Sequence, residues 1–166
     1  MFRPQRIEPQ PGQESVWDYP RPPRIERSPK KIEVVFNGVT IAQSDRAYRI
    51  LETSHPPVYY IPPEDIDREY LKPGTASRSF CEWKGFADYY TVVVGDKQAV
   101  NAGWYYSQPN AVYGAIKNYV AFYPSKMDAC YVDGEQVQSQ PGDFYGGWIT
   151  RDIVGPFKGE PGTWGW

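Results

Sequence analysis

The stretch KIEVVFNGVTIA, residues 31–42, decides the fold of the chain. Two runs in which alternate positions are apolar flank the dipeptide Asn37-Gly38. Both central residues of a type I′ turn need a positive φ, which Asn and Gly tolerate better than other residues do. The pattern therefore predicts a β-hairpin that turns one apolar face to the core. The residues on that face are Ile32, Val34, Phe36, Val39 and Ile41.

Composition extends this prediction to the whole chain. Its 166 residues suit a single domain, and they include 17 prolines, 15 glycines and an aromatic fraction of 16%. Pro and Gly interrupt helices and form turns, whereas Tyr and Trp favour half-buried sheet surfaces. We expect mainly β structure with many loops.

Further apolar segments predict the remaining strands. SRSFCEWKG, ADYYTVVV and AVNAGWYYS, within residues 77–107, form a predicted antiparallel meander with a turn at Gly95-Asp96. ACYVDGEQV, residues 129–137, predicts a second hairpin around Asp133-Gly134. The fold class is therefore mainly β, with two antiparallel sheets and one or two short helices. The helical segments are PPEDIDREYL, residues 62–71, and the start of YGAIKNYVAFYP, residues 113–124. The predicted core contains Val34, Phe36, Ile41, Val92, Val94 and Val132.

The N-terminal segment differs from the rest of the chain because it is rich in proline. Proline lacks an amide donor and biases the preceding residue toward extended backbone. We therefore divide the chain into an extended arm, residues 1–29, and a single β-rich domain, residues 30–166. Trp17 and Tyr19 would be exposed in a solvated tail, so we expect the arm beyond its first dozen residues to lie along the domain surface. Such an arm also offers a route to a homo-oligomer.

Charge and cysteine content narrow the function classes. A net charge of −2 and a pI near 5.5 provide no basic surface, so no nucleic-acid partner is expected. No apolar run reaches the roughly 18 residues that span a bilayer, and the N-terminus lacks the apolar core of a secretory signal. We expect no membrane partner and a cytoplasmic location, where Cys81 and Cys130 would be free thiols. No cofactor is expected.

The densest cluster of reactive side chains is SFCEWKG, residues 79–85. Strand alternation would place Cys81 and Trp83 on one face and Glu82 and Lys84 on the other. Aromatic residues of neighbouring segments would then surround the Lys84 amine, which suits a planar or anionic small molecule. We predict a ligand pocket here. Its candidate residues are Tyr59, Tyr60, Glu82, Trp83, Lys84, Trp104, Tyr106 and Trp148, with His55 as a further polar contact.

Two other functions are compatible with the same region. Cys81 as nucleophile, His55 as base and Glu52 as the residue that orients the base would form a catalytic set for an acyl-type electrophile. That set requires the thiol and the imidazole to lie within roughly 3–4 Å of each other. A flat patch of exposed aromatic residues would instead indicate a surface for a partner. The sequence leaves open whether the protein is an enzyme.

Several longer phrases resemble one bacterial family, domain of unknown function 427. They are ESVWDYPRPP, ETSHPPVYYIPPEDI, SFCEWKG, YVAFYP, VDGEQVQSQPGDFYGGWIT and GPFKGEPGTWGW, and the resemblance runs over residues 14–166. It implies an Mss4-like fold, in which two antiparallel sheets form a β-tent or a small barrel-like sandwich. Some classifications attach a nucleotidyltransferase label to the family.

The residues themselves argue against nucleotidyl transfer and against a metal site. Asp65-Ile66-Asp67 has the Asp-x-Asp pattern of a Mg²⁺-binding pair of carboxylates. It follows Pro62-Pro63, however, and lacks an upstream Gly-Ser helix start. Acidic residues are also favoured in the first turn of any helix. The chain has no CxxC pair of the kind by which many Mss4-like domains bind zinc. We predict no metal ligand.

Overall fold

The computed structural model describes residues 4–142 and 144–166 and is built from short strands. Over these residues the strands are β1 (Glu14–Ser15), β2 (Arg24–Arg27), β3 (Ile32–Phe36), β4 (Val39–Ser44), β5 (Tyr48–Leu51), β6 (Val58–Tyr60), β7 (Leu71–Pro73), β8 (Ser79–Cys81), β9 (Gly85–Val94), β10 (Lys97–Tyr105), β11 (Val120–Phe122), β12 (Ala129–Val132), β13 (Glu135–Gln136), β14 (Gln138–Ser139), β15 (Trp148–Ile149) and β16 (Ile153–Val154). The predicted class is confirmed, because the protein is mainly β with antiparallel sheets and few helices. The strands form more sheets than the two that were expected.

The hairpin of β3 and β4 forms as predicted. Asn37 and Gly38 have φ values of 47° and 75°, as a type I′ turn requires. Ile32 and Val34 are fully buried, and the residues that alternate with them are partly exposed. β3 also pairs with β12 in a four-stranded sheet of order β13-β12-β3-β4. The hairpin therefore forms one wall of the core.

The predicted meander forms the second large sheet. β9 and β10 are its long central strands, in the order β11-β10-β9-β7, and β8 adds to the sheet by pairing with β9. The turn between β9 and β10 lies at Gly95-Asp96, as expected. A three-stranded sheet of order β2-β5-β6 stands beside it, with β6 linked to β11 through a bridge between Ile61 and Val120. These two sheets carry most of the side chains considered below.

The proline-rich segment belongs to the folded body from Glu14 onward. β1 pairs in parallel with β16, and β2 pairs antiparallel with β5. Val16, between them in sequence, is fully buried and packs in a small cluster with Tyr19, Leu51 and Ile153. The segment was expected to lie along the surface. It contributes strands because its apolar residues and its free backbone donors both find partners there.

Helical structure over the described residues consists of five 3₁₀ segments. Pro63–Asp65 and Arg68–Tyr70 occupy the predicted helix PPEDIDREYL, and Ala111–Ile116 leads into β11, as the sequence indicated. The others are Val16–Asp18 and Pro124–Lys126. In residues 4–142 and 144–166, none of the helices has the length and apolar character needed to cross a bilayer.

The largest apolar cluster, which we call the closed core, draws residues from β3, β4, β9, β10, β11 and β12. It contains all six predicted core residues, together with Tyr59 and Trp148. A second cluster contains Ile50, Tyr60, Trp104 and Tyr106. The second cluster borders the cavity described below.

Candidate functional site

A cavity of about 610 Å³ opens beside the second apolar cluster. Its walls come from β5 and β6 with the loop between them, from the β8–β9 hairpin, from β10, and from a later part of the chain that includes Gln140, Tyr145 and Gly146. Small-molecule sites usually have volumes of roughly 300–1,000 Å³. The cavity is therefore large enough for a metabolite.

The β8–β9 hairpin places Lys84 in the cavity wall. β8 ends at Cys81, and the next three residues form the turn that leads into β9. Gly85, at the start of β9, has a φ of 109°, which side-chain-bearing residues rarely adopt. Strand alternation was predicted to continue to Lys84 and to separate it from Cys81. That prediction is wrong, because the turn changes the direction of the chain after Cys81. Cys81 and Lys84 therefore line the same cavity.

The Lys84 ammonium group is buried among aromatic rings. Only 9% of the residue is exposed, and its Nζ lies 5.9 Å from the centroid of the Tyr106 ring. Burial alone would lower the pKa of this amine, but neighbouring ionisable groups raise it above its ordinary value, so the amine carries a charge. Those groups belong to Tyr60, Cys81 and Glu52. Among the described residues, no carboxylate oxygen lies within 4.0 Å of the ammonium nitrogen.

His55 is held in one tautomer by its two neighbours. Its Nδ1 lies 3.1 Å from Gln140 Nε2, and its Nε2 lies 3.4 Å from Glu52 Oε2. The backbone fixes the Gln140 amide, because Nε2 donates to the Lys158 carbonyl at 2.8 Å and Oε1 accepts from the Gly147 N–H at 3.1 Å. Since Gln140 Nε2 can only donate, His55 Nδ1 accepts, and the ring proton is on Nε2. That proton is next to the Glu52 carboxylate.

Glu52 lines the cavity and uses one of its carboxylate oxygens in contacts with neighbouring side chains. Its Oε2 accepts from Arg21 Nε at 3.2 Å and lies 3.4 Å from His55 Nε2. Burial raises the pKa of this carboxyl, but His55, Lys84 and Arg21 together lower it to about 2, so it is ionised at neutral pH. Oε1 has no hydrogen-bond partner among residues 4–142 and 144–166.

The remaining walls are largely aromatic. Trp104 Nε1 donates to the Tyr60 hydroxyl at 3.2 Å, and the Trp104 and Tyr123 rings lie 4.6 Å apart. Tyr145 packs edge-on against the His55 ring, with 4.7 Å between their centroids. Glycine is required at position 146, because a Cβ on Gly146 would lie 2.3 Å from Trp104 Cη2. The backbone thus closes directly over the indole.

The sequence of the chain matches one known protein family. A family model described as domain of unknown function (DUF427) matches residues 24–133, about two thirds of the chain. The chain belongs to the DUF427 family. No curated protein matches it.

The DUF427 match ends before several cavity residues. Gln140, Tyr145 and Lys158 line the cavity from the part of the chain that follows residue 133. Sequence reasoning did not select Gln140, Tyr145 or Tyr123 as site residues. Gln140 lies in a Pro-Gly turn with no periodic pattern, and only its three-dimensional contacts reveal its role.

Most of the predicted site residues meet at this cavity. Nine of them line its walls: Glu52, His55, Tyr60, Cys81, Glu82, Trp83, Lys84, Trp104 and Tyr106. Tyr59 and Trp148 instead pack against each other in the closed core, with 5.1 Å between ring centroids. Adjacent residues of a strand face opposite sides, so β6 turns Tyr60 to the cavity and Tyr59 to the core.

The proposed catalytic set of Glu52, His55 and Cys81 is present only in part. Glu52 Oε2 lies 3.4 Å from His55 Nε2, and Cys81 lines the same cavity. Over the described residues, the imidazole hydrogen-bonds to Gln140 and not to the Cys81 thiol. Catalysis by the pair therefore stays a prediction.

The Asp65 carboxylate serves the fold of this DUF427 chain. It accepts from the Ser44 hydroxyl at 2.6 Å and from Arg46 at 2.8 Å. The hydrogen bond from Arg46 lowers the pKa of this carboxyl most, burial opposes it, and the Ser44 hydrogen bond lowers the pKa further. No cluster of three or more metal-ligating side chains occurs in the part of the chain that the structure describes.

Proposed function

We propose that the cavity binds a small anionic metabolite with a planar apolar part, and that Lys84 pairs with its anionic group. One observation carries the proposal. Lys84 is nine-tenths buried on the cavity wall, is charged, and has no carboxylate within 4.0 Å among the described residues.

The energetics of burial support a ligand at Lys84. A buried charge without a partner costs several kcal/mol, and folded proteins normally pair such a charge or expose it. The Cys81 thiol beside the amine is a weak acceptor and does not replace a carboxylate or phosphate. An anion that enters the cavity would supply the missing partner.

The aromatic walls support a planar apolar part in the same ligand. Trp104, Tyr106, Tyr123 and Tyr145 surround the space that Lys84 faces. Aromatic side chains provide both buried area and ring-stacking geometry. A ligand with a ring and an anionic group would use both features, which explains why they occur together.

A matched pair of fluorescent probes tests the proposal. 8-Anilinonaphthalene-1-sulfonate and N-phenyl-1-naphthylamine share one aromatic body, but only the first carries an anionic group. The wild-type protein should bind the sulfonate more tightly than the neutral probe. In Lys84→Met, affinity for the sulfonate should fall on the order of tenfold or more, while affinity for the neutral probe stays unchanged.

Lys97→Met is the matched control, because Lys97 is exposed at the start of β10. It removes the same charge from the surface and should leave both affinities as in the wild type. An equal loss of affinity for the sulfonate in Lys84→Met and Lys97→Met would mean that net charge, and not the cavity, attracts the probe. No loss in Lys84→Met would overturn the proposal.

A Cys81-dependent enzyme acting on an acyl-type electrophile is the second candidate. It is favoured by the Glu52–His55 pair and by the position of Cys81 in the same cavity. Cys130 provides an internal reference, since it is buried and burial raises the pKa of its thiol. At pH 6, iodoacetamide should label Cys81 faster than it labels free cysteine if the thiol is activated. Labelling at the rate of free cysteine, with Cys130 unmodified, would end this candidate.

A further inference from the structure

Two opposite charges face the same cavity without touching each other. Lys84 provides a buried ammonium group, and Glu52 provides a carboxylate whose Oε1 is directed to no other group among the described residues. Glu52 and Lys84 do not form an ion pair within 4.0 Å. Each group nevertheless contributes to the charged state of the other.

The arrangement around Glu52 explains why the two charges stay apart. Arg21 and His55 both bind the same carboxylate oxygen, Oε2, and hold the side chain in place. Gln140 in turn holds His55, and its amide is fixed by two backbone groups. Glu52 therefore cannot swing toward Lys84 without breaking this network. Oε1 has no partner among the described residues and is not fully buried, so it can accept a hydrogen bond from a ligand.

We propose that the ligand is a zwitterion of the aromatic amino-acid type, with its carboxylate on Lys84, its ammonium group on Glu52 Oε1 and its ring against the aromatic wall. This inference rests on the proposed function and adds the second charge to it. Within an α-amino acid the two charged groups are close neighbours, so the molecule fits a gap between opposite charges that do not meet. The ring would contact Trp104 or Tyr106, which line the same cavity.

The test compares three molecules that share an indole ring. L-Tryptophan has both charges, tryptamine has only the amine, and indole-3-propionate has only the carboxylate. Calorimetric titration of the wild type should give the tightest binding for L-tryptophan, by about tenfold over each of the others. Glu52→Gln should abolish the preference over indole-3-propionate. Lys84→Met should abolish the preference over tryptamine.

Glu69→Gln is the control, because Glu69 is an exposed carboxylate outside the cavity. It should keep both preferences. Indole-3-propionate binding as tightly as L-tryptophan to the wild type would overturn this inference and leave the anionic-ligand proposal intact. If none of the three indole compounds bound, while the naphthalene sulfonate still bound in a Lys84-dependent way, this inference would again be overturned and the anionic-ligand proposal would stand. If Lys84→Met changed the binding of neither the naphthalene probes nor the indole compounds, both proposals would be overturned.

Discussion

The closed core and the cavity are both lined by large apolar side chains, but they differ in the polar side chains that they bury. In the closed core, the hairpin β3–β4 packs against the meander, and the buried polar side chains that its strands carry are the uncharged hydroxyls of Ser44 and Thr91. Around the cavity, the aromatic cluster encloses Lys84, His55 and Gln140, each of which is at least nine-tenths buried. Buried polar groups stabilise a fold less well than apolar groups of the same size. The difference supports the proposal that the cavity binds a ligand, whereas the closed core serves the fold.

The largest expected effect separates two tryptophans. Trp148 is fully buried in the closed core, and its Nε1 donates to the Phe122 carbonyl at 3.1 Å. Trp148→Ala should lower the free energy of unfolding by about 3–5 kcal/mol, because it leaves a cavity and an unpaired carbonyl. Trp83→Ala, at a partly exposed residue of the cavity wall, should lower it by less than about 1 kcal/mol. Urea unfolding measures both, and equal losses would contradict the comparison.

Two buried cations provide the next contrast. Arg49 pairs with Glu26 at 2.6 Å and with Glu14 at 3.4 Å, whereas Lys84 has no such partner among the described residues. Arg49→Met should lower the free energy of unfolding by about 1–3 kcal/mol, because it removes the cation that Glu14 and Glu26 share. Lys84→Met should leave it unchanged or raise it by up to about 2 kcal/mol. A large loss in Lys84→Met, measured by the same unfolding experiment, would show that Lys84 is structural.

The pH dependence of stability tests the Glu52 network. The folded-state pKa of the Glu52 carboxyl, about 2, lies below its ordinary value of 4.5. The ionised carboxylate therefore stabilises the fold above about pH 4.5. This contribution, up to about 2 kcal/mol after solvent screening, should be lost as the pH falls from about 5 toward 2. Glu52→Gln should remove that part of the profile, while Glu69→Gln should retain it. Identical profiles for wild type and Glu52→Gln would contradict the assigned network.

The closed core could be predicted from the sequence more completely than the cavity. Alternation over residues 32–41 and the Asn37-Gly38 turn define the hairpin, because each depends only on neighbouring residues. The positions of Cys81 and Lys84 depend on where β8 ends, and alternation alone does not reveal a three-residue turn. Gly85 was the local signal for that turn, since its φ of 109° suits glycine. Gln140 meets His55 from 85 positions away in the chain, and local patterns carry no information on such a contact.

A thermal-shift screen of a metabolite library is the most direct test that the cavity binds an anion through Lys84. The screen compares the wild type with Lys84→Met and with the control Lys97→Met. Anionic compounds at saturating concentration should raise the Tm of the wild type and of Lys97→Met by about 5 °C or more. The same compounds should raise the Tm of Lys84→Met by clearly less, because its affinity for them is lower by about tenfold or more. Compounds that stabilise all three proteins equally would contradict the proposal.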